Sequence, residues 1–219
     1  ALYLYADTLT AHTAVAVHGY TDNAVRMLHI AYLYNHDLHY NVLLPDLRFA
    51  GQSEGDHTQM GWKDRLDVLR WMEVANELFA PEGSQTRMVV HGISMGAATT
   101  VCVSGEPQPP FVNCFVEDCG YTSVWDIFSS ELKLRFGMPE FPLMYTANLF
   151  ASTKAGYSFK EASALDQVKN CKKPMLFIHG TADDFIPYEM MDILYQAKPG
   201  NNKEKITAPG AGHGEAMYL

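Results

Sequence analysis

At 219 residues the chain is long enough for one domain with a substantial buried core. Its 47% hydrophobic and 19% charged content is that of an ordinary globular protein, and a net charge of -9 argues against nucleic acid and an anionic membrane surface as partners. No apolar run approaches the length of a membrane span, and the four cysteines show no metal-ligand spacing and no Cys-x-x-Cys pair.

The chain begins at Ala1 without Met and without a signal-peptide pattern. A leader or anchor removed upstream is compatible with that, so the compartment, cytoplasmic or secreted, stays open, as does the oligomeric state. The first apolar run, Thr13–Val17, reads as a buried parallel strand that stops at His18-Gly19-Tyr20. Asn23 then caps a helical pattern in which Met27, Ile30, Ala31 and Tyr34 recur on one face. A second strand, Asn41–Leu44, ends at Pro45-Asp46, and a polar loop with three glycines runs to Gly61. A helix is expected from about Lys63 to Ala80, burying Leu66, Val68, Leu69 and Met72, with Pro81 and Gly83 marking its exit.

The apolar run Met88–His91 leads into Gly92-Ile93-Ser94-Met95-Gly96 and then small residues. Gly-x-Ser-x-Gly after a strand and before a helix is what a strained strand-to-helix turn needs. Such a turn lifts the Ser94 hydroxyl clear of the sheet and aims the helix N-terminus and the Met95 amide at any oxygen bound beside it. A strand at Phe111–Val116, another at Pro174–Gly180, a helix at Tyr188–Ala197 and a last strand near Lys205–Thr207 complete the alternation. Between about 122 and 170 that alternation lapses into a stretch rich in Phe, Tyr, Leu and Pro, expected to form a helical cap inserted between serine and acid.

Alternating buried strands and helices imply an open, mostly parallel sheet with helices on both faces, and such sheets bind ligands beyond the carboxyl ends of their strands. His18, Asp46, Ser94, Asp118, Asp183 and His213 all fall at or just after those ends. A serine becomes a nucleophile when a base takes its proton and an acid orients the base. The candidates are Ser94, Asp183 and His213, with Asp184 and Asp118 as competing acids. His91 and His179 precede strand-end glycines and read as packing and local hydrogen-bonding residues. His36-x-x-His39 beside Asp37, and Asp56-His57, read as polar surface pairs rather than metal ligands.

The elbow, the loop His179-Gly180-Thr181-Ala182-Asp183-Asp184-Phe185-Ile186-Pro187 and the loop Gly210-Ala211-Gly212-His213-Gly214 resemble the motifs of the α/β-hydrolase superfamily. The stretches Asp46–Gly55, Gly61–Leu66 and Tyr121–Trp125 are similar to a bacterial branch of serine esterases related to the prolyl-oligopeptidase type, although Phe49 and Ala50 stand where Gly and His are usual. That resemblance implies an α/β-hydrolase fold and a single domain over 1–219. It implies a Ser94–His213–Asp183 triad, an oxyanion site made by the backbone amides of Tyr20 and Met95, and no metal or cofactor. Phe128, Phe136, Phe141 and Tyr145 are the residues expected to line an apolar acyl pocket. The expected reaction is hydrolysis of small carboxylic esters, the alternatives being a peptidase or amidase with the same triad, or a non-catalytic binding protein on the same scaffold. Family members are longer, so a trimmed chain is expected, short of early strands and of a helix after His213.

Overall fold

In the computed structural model, residues 1–218 are described. Seven strands form one sheet in the order β1-β3-β2-β4-β5-β6-β7. They are β1 (Leu2–Leu4), β2 (His12–Val17), β3 (Asn41–Leu44), β4 (Arg87–Ile93), β5 (Val112–Asp118), β6 (Met175–Gly180) and β7 (Lys203–Ala208). Only β1 is antiparallel, pairing with β3; every other neighbour pair is parallel. From β2 the chain moves outward to β3, then crosses back so that β4 lies on the other side of β2. The crevice between the carboxyl ends of β2 and β4 is therefore the topological switch point, where ligands of such sheets bind.

Both faces of the sheet are apolar because parallel strands are covered above and below. Val15, Val17, Met88, Val90, Phe115 and Phe177 face one core, beneath α2 (Asp64–Phe79), α3 (Met95–Ser104), α6 (Ala164–Val168) and α7 (Glu189–Ala197). Ala14, Ala16, Val42, Leu44, Val89 and Val116 face the other, beneath α1 (Leu28–Tyr32) and its neighbours Met27 and Tyr34. Asn23 does cap this segment, its side chain accepting from the amides of Val25 and Arg26. The capped segment is not one uniform helix but a 3-10 turn, an α turn and a π turn in succession.

Helix α2 buries Asp64, Val68, Met72, Ala75 and Phe79, a stripe at spacings of three and four. Leu66 lies two positions off that stripe and is 50% exposed, which corrects its expected burial. Within 122–170, α4 (Val124–Phe136) and α5 (Leu143–Lys154) stand at the carboxyl-end rim, whereas α6 packs against α3 and α7 as part of the helical layer. Ser123 caps α4, accepting from the Asp126 amide, and Gly137 closes it in the left-handed conformation.

Truncating Met72 to Ala should cost about 2–5 kcal/mol by urea denaturation, because the site is sealed, while Leu66→Gln should stay within about 0.5 kcal/mol. A second expectation concerns Asp64, wholly buried, with Oδ2 accepting from the Gly61 amide and Oδ1 without a protein partner among the described residues. Burial pushes its carboxyl up to about 6. The folded chain thus keeps a proton that the unfolded chain releases near pH 4, and stability is lost as pH rises through that window. Asp64→Asn should gain on wild type by ~3 kcal/mol between pH 4 and pH 7. Paired urea titrations at the two pH values check this; a constant difference contradicts it.

Candidate active site

Ser94 sits between β4 and α3 with φ 58° and ψ -120°, a conformation that a side chain adopts only under strain. Two hydrogen bonds hold it there: its amide donates to the Asp118 carbonyl (2.9 Å) and its carbonyl accepts from the Ala98 amide (3.1 Å). The turn closes only because glycines flank it. A Cβ on Gly92 would lie 2.0 Å from the Gly96 carbonyl oxygen, and one on Gly96 would lie 2.0 Å from the Val17 carbonyl oxygen. Strand β4, helix α3 and strand β2 are pressed together there with no room for a methyl group.

From Ser94 a hydrogen-bonded chain runs through two loops. His213 Nε2 lies 2.9 Å from Ser94 Oγ, and His213 Nδ1 lies 2.8 Å from Asp183 Oδ2. The aspartate follows β6 and the histidine follows β7, neighbouring strands, so their loops emerge side by side. They are also tied together: the Ala182 amide donates to the Ala211 carbonyl (2.9 Å), and the Gly210 amide to Thr181 Oγ1 (2.9 Å). The Phe185 ring meets the His213 ring edge-on at 5.1 Å and limits its swing.

The Asp183 side chain is fully enclosed. Its Oδ1 accepts from the amides of Phe185 (2.9 Å) and Ile186 (2.8 Å), while Oδ2 takes His213 and, at 3.2 Å, His179 Nε2. Burial alone pushes this carboxyl up, but the hydrogen bonds from the two imidazoles and the Ile186 amide overcome it and hold the group well below the ordinary carboxylate range. It is therefore held as the anion in the neutral range. The competing acids lie elsewhere. Asp184 is exposed. Asp118 is buried at the end of β5, its carboxyl pushed up to about 6 by burial, with Oδ1 unpartnered among the described residues. His213 Nδ1 is bonded to Asp183.

On the other side of Ser94 lies the loop after β2. A Cβ on Gly19 would sit 3.3 Å from Ser94 Cβ, so the Gly19-Tyr20 backbone abuts the serine. His18 braces that loop. Its Nδ1 faces the Gly19 carbonyl (2.8 Å) and its Nε2 the Leu47 amide (2.9 Å), which fixes the Nδ1–H tautomer, because a carbonyl can only accept and an amide only donate. Burial lowers its pKa, in keeping with a neutral ring. Among the described residues, neither the Tyr20 nor the Met95 amide donates to a protein acceptor.

Ser94, Met95 and His213 open into a cavity of about 600 Å³ whose walls include Tyr20, Met60, Phe128 and Phe185, with Glu131 and Arg135 of α4 at one side. Phe128 is among the residues lining this cavity. Phe136, Phe141 and Tyr145 do not line this cavity: they are at least half exposed, and Tyr145 packs on Trp125 and Phe141 instead. Apolar character alone suggests an inward orientation, whereas these positions fall on the outer faces of α4 and α5 and in the loop between them. Cys119 Sγ, an Asp183 oxygen and a His213 nitrogen lie within 4.8 Å of one another, a set able to hold a soft metal ion, although the Ser94 chain already uses two of the three. His36 and His39 pair separately with Asp37 and Asp7 on the surface.

An open parallel sheet with an elbow serine at its switch point defines an α/β hydrolase of the serine-hydrolase type. More narrowly, the chain belongs to the prolyl oligopeptidase family, whose pattern matches residues 46–217. The uncharacterized protein YqkD of Bacillus subtilis is 31% identical over 191 residues, covering 87% of this chain and 61% of the relative. Protein bem46 of Schizosaccharomyces pombe is 24% identical, covering 93% of this chain and 62% of its own. The chain therefore spans about three fifths of the length of these curated relatives. An esterase of Pyrococcus furiosus superimposes with a TM-score of 0.70 at 24% identity, over 95% of this chain and 77% of that one. An acylaminoacyl peptidase of Pyrococcus horikoshii does so at 0.69 and 20% identity, over 99% of this chain and 35% of that one. At these identities both structures speak for the fold alone.

Proposed function

We propose that the chain hydrolyses carboxylic esters of small molecules through a Ser94–His213–Asp183 triad and an acyl-enzyme intermediate, without a cofactor. The observation that carries this reading is the unbroken Ser94 Oγ–His213–Asp183 hydrogen-bond chain beside two uncommitted backbone amides. Ser94 Oγ attacks the ester carbonyl carbon while its proton passes to His213 Nε2. Asp183 keeps His213 Nδ1 protonated and stabilises the imidazolium that forms. The carbonyl oxygen becomes an anion and is held by the Tyr20 and Met95 amides. The tetrahedral intermediate collapses as the C–O bond to the alcohol breaks and His213 returns the proton to the leaving oxygen. Water then gives a proton to His213 as its oxygen attacks the acyl carbon. The bond from that carbon to Ser94 Oγ breaks, and His213 returns the proton to Oγ, which releases the acid and restores the free serine.

The walls favour an ester with an apolar acyl group. Met60, Phe128, Phe185 and the Tyr20 ring offer contact area with few groups to pair with a peptide backbone. The α4–α5 segment acts as the cap of this site, with Phe128 its contribution to the acyl wall. The prolyl oligopeptidase pattern and the peptidase neighbour support the second reading, an amidase with the same triad. Esters and amides of one acyl group, assayed side by side, decide between the two.

Ser94→Ala should abolish turnover with the melting temperature unchanged. Asp183→Asn should lower kcat by roughly 10³–10⁴-fold, because an amide no longer fixes the productive tautomer. Asp184→Asn, altering an exposed group, should stay within about twofold. Near-wild-type ester hydrolysis by Ser94→Ala, or a loss in Asp184→Asn as large as that in Asp183→Asn, refutes this assignment.

A further inference from the structure

Asp183 is gripped by a second histidine that the triad does not account for. His179, at the end of β6, is wholly buried, and its Nε2 lies 3.0 Å from the Ile186 carbonyl and 3.2 Å from Asp183 Oδ2. Both neighbours are acceptors, so this nitrogen carries the hydrogen; it donates to the Ile186 carbonyl and lies at ion-pair distance from Asp183. The opposite nitrogen, Nδ1, is buried without a protein partner among the described residues.

A buried acid stands beside it. Glu117 on β5 pairs across the ladder with Phe177 on β6, so His179, two residues further along β6, shares its face of the sheet. Glu117 is fully enclosed in strand positions that are otherwise apolar. Its Oε1 accepts from the Gly120 amide, and its Oε2 is likewise buried without a protein partner among the described residues. Among the described residues no hydrogen bond or ion pair joins Glu117 to His179, so the acid acts on the ring through its charge alone.

We propose that His179 is a positioning residue of the site: its Nε2–H, seated between the Ile186 carbonyl and Asp183 Oδ2, holds the Asp183 carboxylate in the orientation His213 requires. The site then has four members, from His179 through Asp183 and His213 to Ser94. This inference rests on the triad reading above and extends it by one residue that never touches substrate. The charges around His179 favour its protonated form. Glu117 and Asp118 approach from β5 and Asp183 from the loop after β6, while the Tyr188 ring at the start of α7 meets it edge-on at 5.8 Å. Burial lowers the His179 pKa, but the Asp183 hydrogen bond and the Glu117 charge outweigh burial and raise it overall. Burial pushes the Glu117 carboxyl up to about 7.

The test uses His179→Ala, His179→Gln and Glu117→Gln, each compared with wild type on a short-chain p-nitrophenyl ester. His179→Ala should lower kcat by about tenfold with KM within twofold. His179→Gln, whose amide N–H₂ can still donate to Asp183 and Ile186, should recover most of that loss. A purely structural role predicts no such split and no such rescue. Histidine-ring ¹⁵N spectra of Ser94→Ala protein give a readout independent of turnover. His179 Nε2 should stay protonated from pH 5.5 to 8.5, and its Nδ1 titration should move down by about one pH unit when Glu117→Gln is added. A folded His179→Ala with wild-type kcat, a Gln variant no better than Ala, or an unprotonated Nε2 overturns the proposal. Should His179→Ala fail to fold, the Gln variant and the ring spectra still decide it. Wild type that hydrolyses no ester counts against the triad reading, while the spectra still judge the His179–Asp183 contact.

Discussion

The whole site hangs on one steric constraint, the passage of the Val17 carbonyl through the space where a side chain on Gly96 would be. Because Gly96 and Gly92 lack a Cβ, β2, β4 and α3 converge to backbone contact at the switch point of the sheet. Ser94 is left at the apex with a positive φ, its hydroxyl outward and the first amides of α3 beneath it. The strain costs about 1–3 kcal/mol, which the buried strands on either side can carry. The same closeness brings the Gly19-Tyr20 backbone against the serine, so the proposed nucleophile and the amides proposed to hold the oxyanion arise from one packing event.

The second pillar is electrostatic. A carboxylate taken out of water is stable only where donors replace the lost hydration. Asp183 has four: two amides of its own loop on one oxygen and two imidazoles on the other. That arrangement holds its carboxyl well below the ordinary carboxylate range, with His213 Nδ1 at 2.8 Å. The acids of β5 illustrate the opposite outcome. Glu117 and Asp118 are also buried but have fewer donors, and burial pushes their carboxyls up to about 7 and about 6.

Much of this is legible in the sequence because each main element is local. The Gly92-x-Ser94-x-Gly96 turn, the Asp183 loop and the His213 loop each follow an apolar strand within a few residues, and strand ends of a parallel sheet share one rim. The pocket walls are less legible. Phe136, Phe141 and Tyr145 are as apolar as Phe128, and nothing in their residue type says which face of α4 or α5 meets the cavity. Leu66 misleads for a related reason: helical phase has to be read from the whole stripe Asp64, Val68, Met72, Ala75, Phe79, one member of which is an acid. The role proposed for His179 is hidden in the sequence, because residue type alone does not place its ring 3.2 Å from Asp183 Oδ2.

The most direct measurement is intact-protein mass after exposure to a fluorophosphonate probe, with Ser94→Ala and His213→Ala treated in parallel. A serine activated as described gives one adduct on wild type, none on Ser94→Ala and slow labelling of His213→Ala. A folded wild-type chain that takes no adduct, or an adduct that persists in Ser94→Ala, contradicts the account.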